Sequence, residues 1–198
     1  MKLPAIEGTI AGMDEAGRGS WAGPVVAAAV VLPKGLHLSG LNDSKLVLPA
    51  KREKLYEQII KSCAYGVGLA TQEEVDALGL LQATLYAFRR ALEKLPSQVD
   101  HILIDGRDAF SFSVPHTSII RGDQKIRSIM AASILAKVTR DRLMVEYSQV
   151  YPAYRFDLHK GYGTQEHQRA LRENGPCDLH RKSYAPLKKL QCEQTAFL

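Results

Sequence analysis

Short apolar runs alternate along the chain with longer stretches in which apolar residues return every three to four positions. Residues 9–14, TIAGMD, form a short apolar run closing on an acid, which predicts a strand. Residues 25–32, VVAAAVVL, are apolar throughout and fenced by Gly23-Pro24 and Pro33. Their alanines would suit a helix, but the fences hold the run to strand length and predict a buried strand. Residues 64–70, 101–105 (HILID) and 116–120 (HTSII) read as three further strands. The helical period governs 49–62, where Leu55, Tyr56, Ile59 and Ile60 share a face and Pro49 suits the first turn. It governs 80–95 through Leu81, Leu85, Phe88 and Leu92, and 123–151 through Ile126, Met130, Ile134 and Val138. Residues 164–174 form a further helix with Gly175 beyond its end, and the basic tail from Asp178 suits one last short helix. The order β, β, α, β, α, β, β, α, α predicts an α/β domain with a mixed central sheet flanked by helices. No repeat or linker interrupts it, so residues 1–198 read as one domain, with 155–198 a small C-terminal helical appendage.

Composition narrows the setting. The chain has 198 residues, 45% hydrophobic, enough for one good core. Net charge is +5 and the pI about 9.1, which favours a polyanionic partner and equally suits a plain basic protein. Cys63, Cys177 and Cys192 are scattered with no CxxC spacing, pointing to free thiols in a reducing compartment and away from a disulfide frame or zinc site. The N-terminus MKLPAIEG lacks a secretory core, and no apolar run is long enough for a bilayer. A cytoplasmic protein without membrane contact is expected.

Candidate chemistry sits at strand ends. Asp14 and Glu15 close the first strand, Asp105 closes HILID, and Asp123 precedes the long helix. If the first and fourth strands are neighbours, Asp14 and Asp105 lie side by side at one edge of the sheet. Such carboxylates repel unless a cation binds or one takes a proton. Oxygen donors without Cys or His suit Mg²⁺ or Mn²⁺. Adjacent side chains on a strand face opposite ways, so Asp14 and Glu15 would reach different parts of such a site. Each acid also has a plain alternative. Asp14-Glu15 could open a solvated turn, Asp105-Gly106 is an ordinary turn dipeptide, and Asp123 would make a good helix N-cap.

In combination these segments resemble bacterial ribonuclease HII. GMDEAGRGSWAGPVVAAAV (12–30), GLNDSK (40–45), ILIDG (102–106), GDQKIRSIMAASILAKVTRD (122–141), HKGYGT (159–164) and HRKSYAP (180–186) occur in the family's order. The Gly17-Arg18-Gly19 turn and the short approach to the first strand favour type 2 over type 3. The resemblance implies an RNase H-like fold with a C-terminal part that contacts substrate. It implies hydrolysis of RNA in RNA–DNA hybrids and nicking 5′ of a single ribonucleotide in duplex DNA, as in ribonucleotide excision repair. It carries the metal-binding and catalytic roles to Asp14, Glu15, Asp105 and Asp123, with a two-ion Mg²⁺ or Mn²⁺ site. In that scheme Asp14 bridges the ions, Glu15 and Asp105 serve the leaving side, and Asp123 the attacking water. Leu46 departs from the family pattern, where a second lysine often follows Lys45, and puts one phosphate contact in question.

Substrate contacts are expected from Gly17, Arg18 and Gly19, whose backbone can approach and test a ribose 2′-OH. Tyr162, hinged between Gly161 and Gly163, can stack on a sugar or base, or pack on the core. Ser44, Lys45, Lys137 and Lys160 are phosphate candidates, although Lys137 and Asp141 are also spaced for a simple i, i+4 ion pair. His180 and Arg181, with Lys182, Lys188 and Lys189, are expected to track duplex phosphates. The ending QTAFL (194–198) suggests a sliding-clamp peptide, and the chain is expected to be a monomer. Two rivals stand beside this reading: an RNase H-like nuclease requiring a longer RNA stretch, and a hybrid-binding module without catalysis. A pure binder has no need to crowd acids beside phosphates.

Overall fold

The computed structural model describes residues 7–108 and 110–195, with 191–195 described by their backbone. Its elements run β1 (Ile10–Ala16), β2 (Val25–Val31), α1 (Pro49–Ser62), β3 (Ala64–Ala70), α2 (Gln72–Leu78), α3 (Leu80–Glu93), β4 (His101–Asp105), β5 (His116–Ile119), α4 (Arg127–Val150), α5 (Phe156–His159), α6 (Gln165–Asn174) and α7 (Ala185–Thr195). The strands form one sheet in the order β3-β2-β1-β4-β5. β1 is antiparallel to β2 and parallel to β4, so the sheet is mixed as expected.

Helices cover both faces. Val25, Ala27 and Ala29 of β2 pack toward α3, while Ala28 and Val30 pack toward α1 and α4. Burial on both sides explains why this strand is apolar without alternation. The same period of two sorts β1 and β4. Met13, Ile102 and Ile104 join the α3 side, and Leu103 joins the α4 side with Ile129. Gly12 lies against α4 so closely that a Cβ there would sit 2.2 Å from the Ser128 carbonyl carbon. A third cluster, built on Ala22, Met144, Phe156, Leu171 and Leu187, ties the C-terminal helices to the end of the sheet.

Three elements differ from the sequence reading. The short helix α5 lies between two predicted helices. α2 has too few apolar residues to show a period; a capping box starts it, with the Thr71 hydroxyl accepting from the Glu74 amide and the Glu74 carboxylate accepting from the Thr71 amide. The long helix begins at Arg127, not 123, and its N-cap is Ile126. Asp123 instead lies in a single 3₁₀ turn, Gly122–Gln124, so its carboxylate does not serve as a cap for the helix. Among the described residues no helix is long and apolar enough to cross a membrane. Of the clamp-like ending QTAFL at 194–198, residues 196–198 lie outside the described residues.

Candidate active site

The parallel register of β1 and β4 sets Met13 beside Ile104, which brings the next pair, Asp14 and Asp105, to the sheet edge together. Both follow the face that carries Gly12 and Leu103, toward α4. The 3₁₀ turn brings Asp123 onto the same spot: the Asp105 carboxylate accepts from the amides of Gly122 (2.6 Å) and Asp123 (3.3 Å). One carboxylate oxygen from each of Asp14, Asp105 and Asp123 lies within 4.8 Å of the others. Glu15, the next residue of β1, is not one of the three clustered carboxylates; it lines the same cleft and meets Arg18 Nη1 at 3.4 Å. Arg18 Nη1 reaches Asp108 as well, at 2.6 Å.

These acids sit in a poor dielectric. Burial first, then the charges of Glu15 and Asp105, hold the Asp14 carboxyl well above its usual range. Burial pushes Glu15 up to about 7 against the opposing pull of Arg18. Asp123 is raised by burial and by Asp105 and Asp43, partly offset by Lys45, whose Nζ stands 3.7 Å away. The crowding is what a bound cation relieves, and the all-oxygen donor set fits a hard divalent ion. Asp14, Asp105 and Asp123 would hold it, with Glu15 at the rim.

A cleft of about 470 Å³ opens beside the acids, lined by Asp14, Glu15, Gly17, Arg18, Gly19, Ser44, Lys45, Ser133, Lys137 and Tyr162. Most of the expected contacts therefore meet at one place. A cleft of about 560 Å³ near Leu92, Leu95, Phe112 and Val114 gathers no such cluster. Gly17 has φ +92°, and a Cβ there would strike the Arg140 guanidinium, so the turn needs glycine. Lys137 pairs with Asp141 at 2.7 Å and also stands 5.9 Å from the Tyr162 ring centre. The hydroxyls of Ser44 and Ser133 meet at 2.9 Å, and Ser133 hydrogen-bonds Asp14.

Two expected contacts are corrected. His180 and Arg181 are buried, not displayed to phosphates. Arg181 spends its guanidinium on the carbonyls of Gly23 and Arg18. Lys160 is not among the residues lining the cleft; its ammonium donates to the Asp157 carbonyl. Lys182, Lys188 and Lys189 stay exposed.

The sequence reading also missed Ser133, Arg140 and a histidine network. Ser133, Lys137 and Arg140 are polar interruptions at i, i+4 and i+7 of an apolar helix, a signal that marks one special face. In the network, the Tyr162 carbonyl accepts from His167 Nδ1 (3.0 Å), so His167 Nε2 must accept from His180 Nε2 (2.9 Å). His180 Nδ1 then accepts from the Cys177 amide at 2.9 Å. His159 Nε2 donates to the Tyr154 carbonyl (2.7 Å), and its Nδ1 accepts from the Gly161 amide (3.2 Å). With these tautomers each of the three rings is neutral and both of its nitrogens are hydrogen-bonded.

Burial lowers His167 to about 3 and His180 to about 4, from 6.5. The unfolded chain then binds more protons below pH 6.5, so the network's contribution is complete above that value and drains away as pH falls toward 4. The loss at pH 4.5 is on the order of 2 kcal/mol per histidine. Thermal melts should show a fall of Tm between pH 7 and 4.5 that His180→Gln reduces; a Tm as acid-resistant as one without the network would rule this out.

The geometry defines a class first. The five-stranded mixed sheet that carries the carboxylate cluster at the ends of β1 and β4 belongs to a fold found in solved ribonuclease H structures. The ribonuclease H2 from Pyrococcus horikoshii superposes with a TM-score of 0.78 at 26% identity, covering 93% of this chain and 98% of that one. A family model described as Ribonuclease HII matches residues 11–187. The ribonuclease HII of Thermotoga maritima is 50% identical over 183 residues, 92% of this chain and 76% of that one. That of Moorella thermoacetica is 53% identical over 176 residues, 88% and 85% of the two chains. The chain belongs to the ribonuclease HII family, metal-dependent endonucleases that hydrolyse the RNA strand of RNA–DNA hybrids.

Proposed function

We propose that this chain also nicks duplex DNA on the 5′ side of a single embedded ribonucleotide, leaving a 3′-OH and a 5′-phosphate. The observation that carries it is the Gly17-Arg18-Gly19 turn in the same cleft wall as Asp14, so that a 2′-OH and a scissile phosphate can be met together. Two divalent ions, Mg²⁺ or Mn²⁺, are assigned to Asp14, Asp105, Asp123 and Glu15. When bound, such ions neutralise the phosphate and acidify an attacking water.

The chain's own residues prepare the site. Ser133, backed by Ser44, fixes the Asp14 carboxylate, and the amides of Gly122 and Asp123 fix Asp105. Lys45 and Lys137 line the cleft and offer charge to non-bridging phosphate oxygens. The Tyr162 ring lies against Lys137 and Arg140, leaving it placed to meet the sugar next to the ribonucleotide. The exposed Lys182 and Lys188 extend the basic surface toward the duplex.

The direct test is a labelled DNA duplex with one ribonucleotide, incubated with Mg²⁺, Mn²⁺ or EDTA. A metal-dependent nick 5′ of the ribonucleotide supports the proposal. Cutting of long hybrids alone would replace it with a narrower specificity. Gly19→Ala probes the turn: no atom lies within 4 Å of the Cβ position, so the free protein accepts the methyl. The expected result is an unchanged Tm and a drop of at least about tenfold in kcat/KM on the single-ribonucleotide duplex, worth about 1.4 kcal/mol. Unchanged kinetics would place the 2′-OH elsewhere.

A further inference from the structure

The turn is held from beneath by a buried cationic cradle. Arg181 is fully buried. Its Nη1 donates to the Arg18 carbonyl (2.9 Å) and to the Tyr184 hydroxyl (2.8 Å). Its Nε and Nη2 donate to the Gly23 carbonyl, at 3.0 and 2.8 Å. The Tyr184 hydroxyl donates in turn to the Arg18 carbonyl at 2.6 Å. Main-chain bonds continue the clasp, from the Arg181 amide to the Trp21 carbonyl (2.8 Å) and from the Gly23 amide to the Leu179 carbonyl (2.8 Å). Arg140, also fully buried, donates to the carbonyls of Pro24 (2.9 Å) and Ala22 (3.0 Å) and to the Ser20 hydroxyl (2.7 Å).

Neither buried guanidinium forms an ion pair with a carboxylate among the described residues. If filling space were the task, apolar side chains would do it at lower cost in desolvation. What these charges do instead is turn carbonyls of one loop inward. In a trans peptide the C=O and N–H point in opposite directions. The Arg18 carbonyl, drawn inward by two donors, therefore turns the Gly19 N–H away from the cradle and toward the cleft. Among the described residues that N–H makes no hydrogen bond.

We propose that Arg181 and Tyr184 are positioning residues for ribonucleotide recognition: they set the Arg18–Gly19 peptide so that its N–H faces the ribose 2′-OH. This rests on the reading that the turn meets the 2′-OH. It makes Arg181 and Tyr184 determinants of sugar discrimination that act through the Arg18 carbonyl without touching the substrate.

The test is equilibrium binding by fluorescence anisotropy in Mg²⁺, with Asp14→Asn present throughout to prevent turnover. The duplexes are identical except for one ribonucleotide or its deoxy counterpart. The parent is expected to bind the ribonucleotide duplex more tightly. Tyr184→Phe, which removes one hydroxyl and keeps the ring, should cut that preference at least threefold while the all-DNA Kd stays within twofold. Arg181→Lys, which cannot fork between two carbonyls, should do the same; if it fails to fold, Tyr184→Phe decides alone. A preference kept in Tyr184→Phe overturns the proposal, as does an equal loss on both duplexes. A parent without preference overturns the reading of the turn itself, and the proposal with it.

Discussion

Asp14→Asn is expected to lower kcat by at least about 10³-fold, some 4 kcal/mol of transition-state stabilisation. Asp14 is the acid on which the others converge. It shares its cluster with Asp105 and Asp123 and accepts from Ser133. Asparagine keeps the shape and one acceptor oxygen and loses the charge that a divalent ion needs. The fold should not suffer. Without metal, Asp14 is a buried acid facing two like charges, Glu15 and Asp105, and removing it relieves repulsion. In EDTA the variant should melt at the parent's Tm or roughly 2–4 °C above it, equivalent to about 1 kcal/mol for a chain of this size. Added Mg²⁺ or Mn²⁺ should raise the parent's Tm and leave the variant's nearly unmoved. Turnover within tenfold of the parent would remove Asp14 from the chemistry, and an equal metal shift in both proteins would remove it from the metal site.

Gly12→Ala is expected to damage stability and activity together. The added Cβ would lie 2.2 Å from the Ser128 carbonyl carbon and 2.4 Å from the Ile129 nitrogen. Those are backbone atoms of α4, which cannot rotate away as a side chain would, so the helix must lift from β1. Overpacking of this kind costs roughly 1–3 kcal/mol. For a chain of this size that is a Tm loss of about 3–10 °C. The same helix carries Ser133 against Asp14 and Lys137 into the cleft. A misplacement near 1 Å can cost on the order of 10²-fold in rate. Melting curves and kcat measured well below Tm separate the two effects. An alanine variant with the parent's Tm and kcat would show that another contact sets the spacing of helix and sheet.

Much of the architecture was legible because it follows local periods. α1, β3 and β4 lie at the expected bounds, since strand and helix repeats of two and 3.6 are written in neighbouring residues. The acids at strand ends were equally visible, and the parallel pairing of β1 with β4 makes Asp14 and Asp105 neighbours. α2 was missed because a capping box defines it, not an apolar period. Asp123 was legible as a candidate, but its escape from the N-cap role depended on where α4 begins.

The sequence by itself determined most of the α/β element order and the positions of the acids at strand ends, because each is specified by residues within a few steps of one another. Only the tertiary structure decided that Asp123 joins Asp14 and Asp105 in one cluster, that His180 and Arg181 point inward, and that Arg140 spans loops far apart in the chain. A charged residue read in sequence carries no sign of whether water or carbonyl oxygens will solvate it. That choice depends on groups more than a hundred residues distant, which meet only when the C-terminal segment closes over the 17–24 loop.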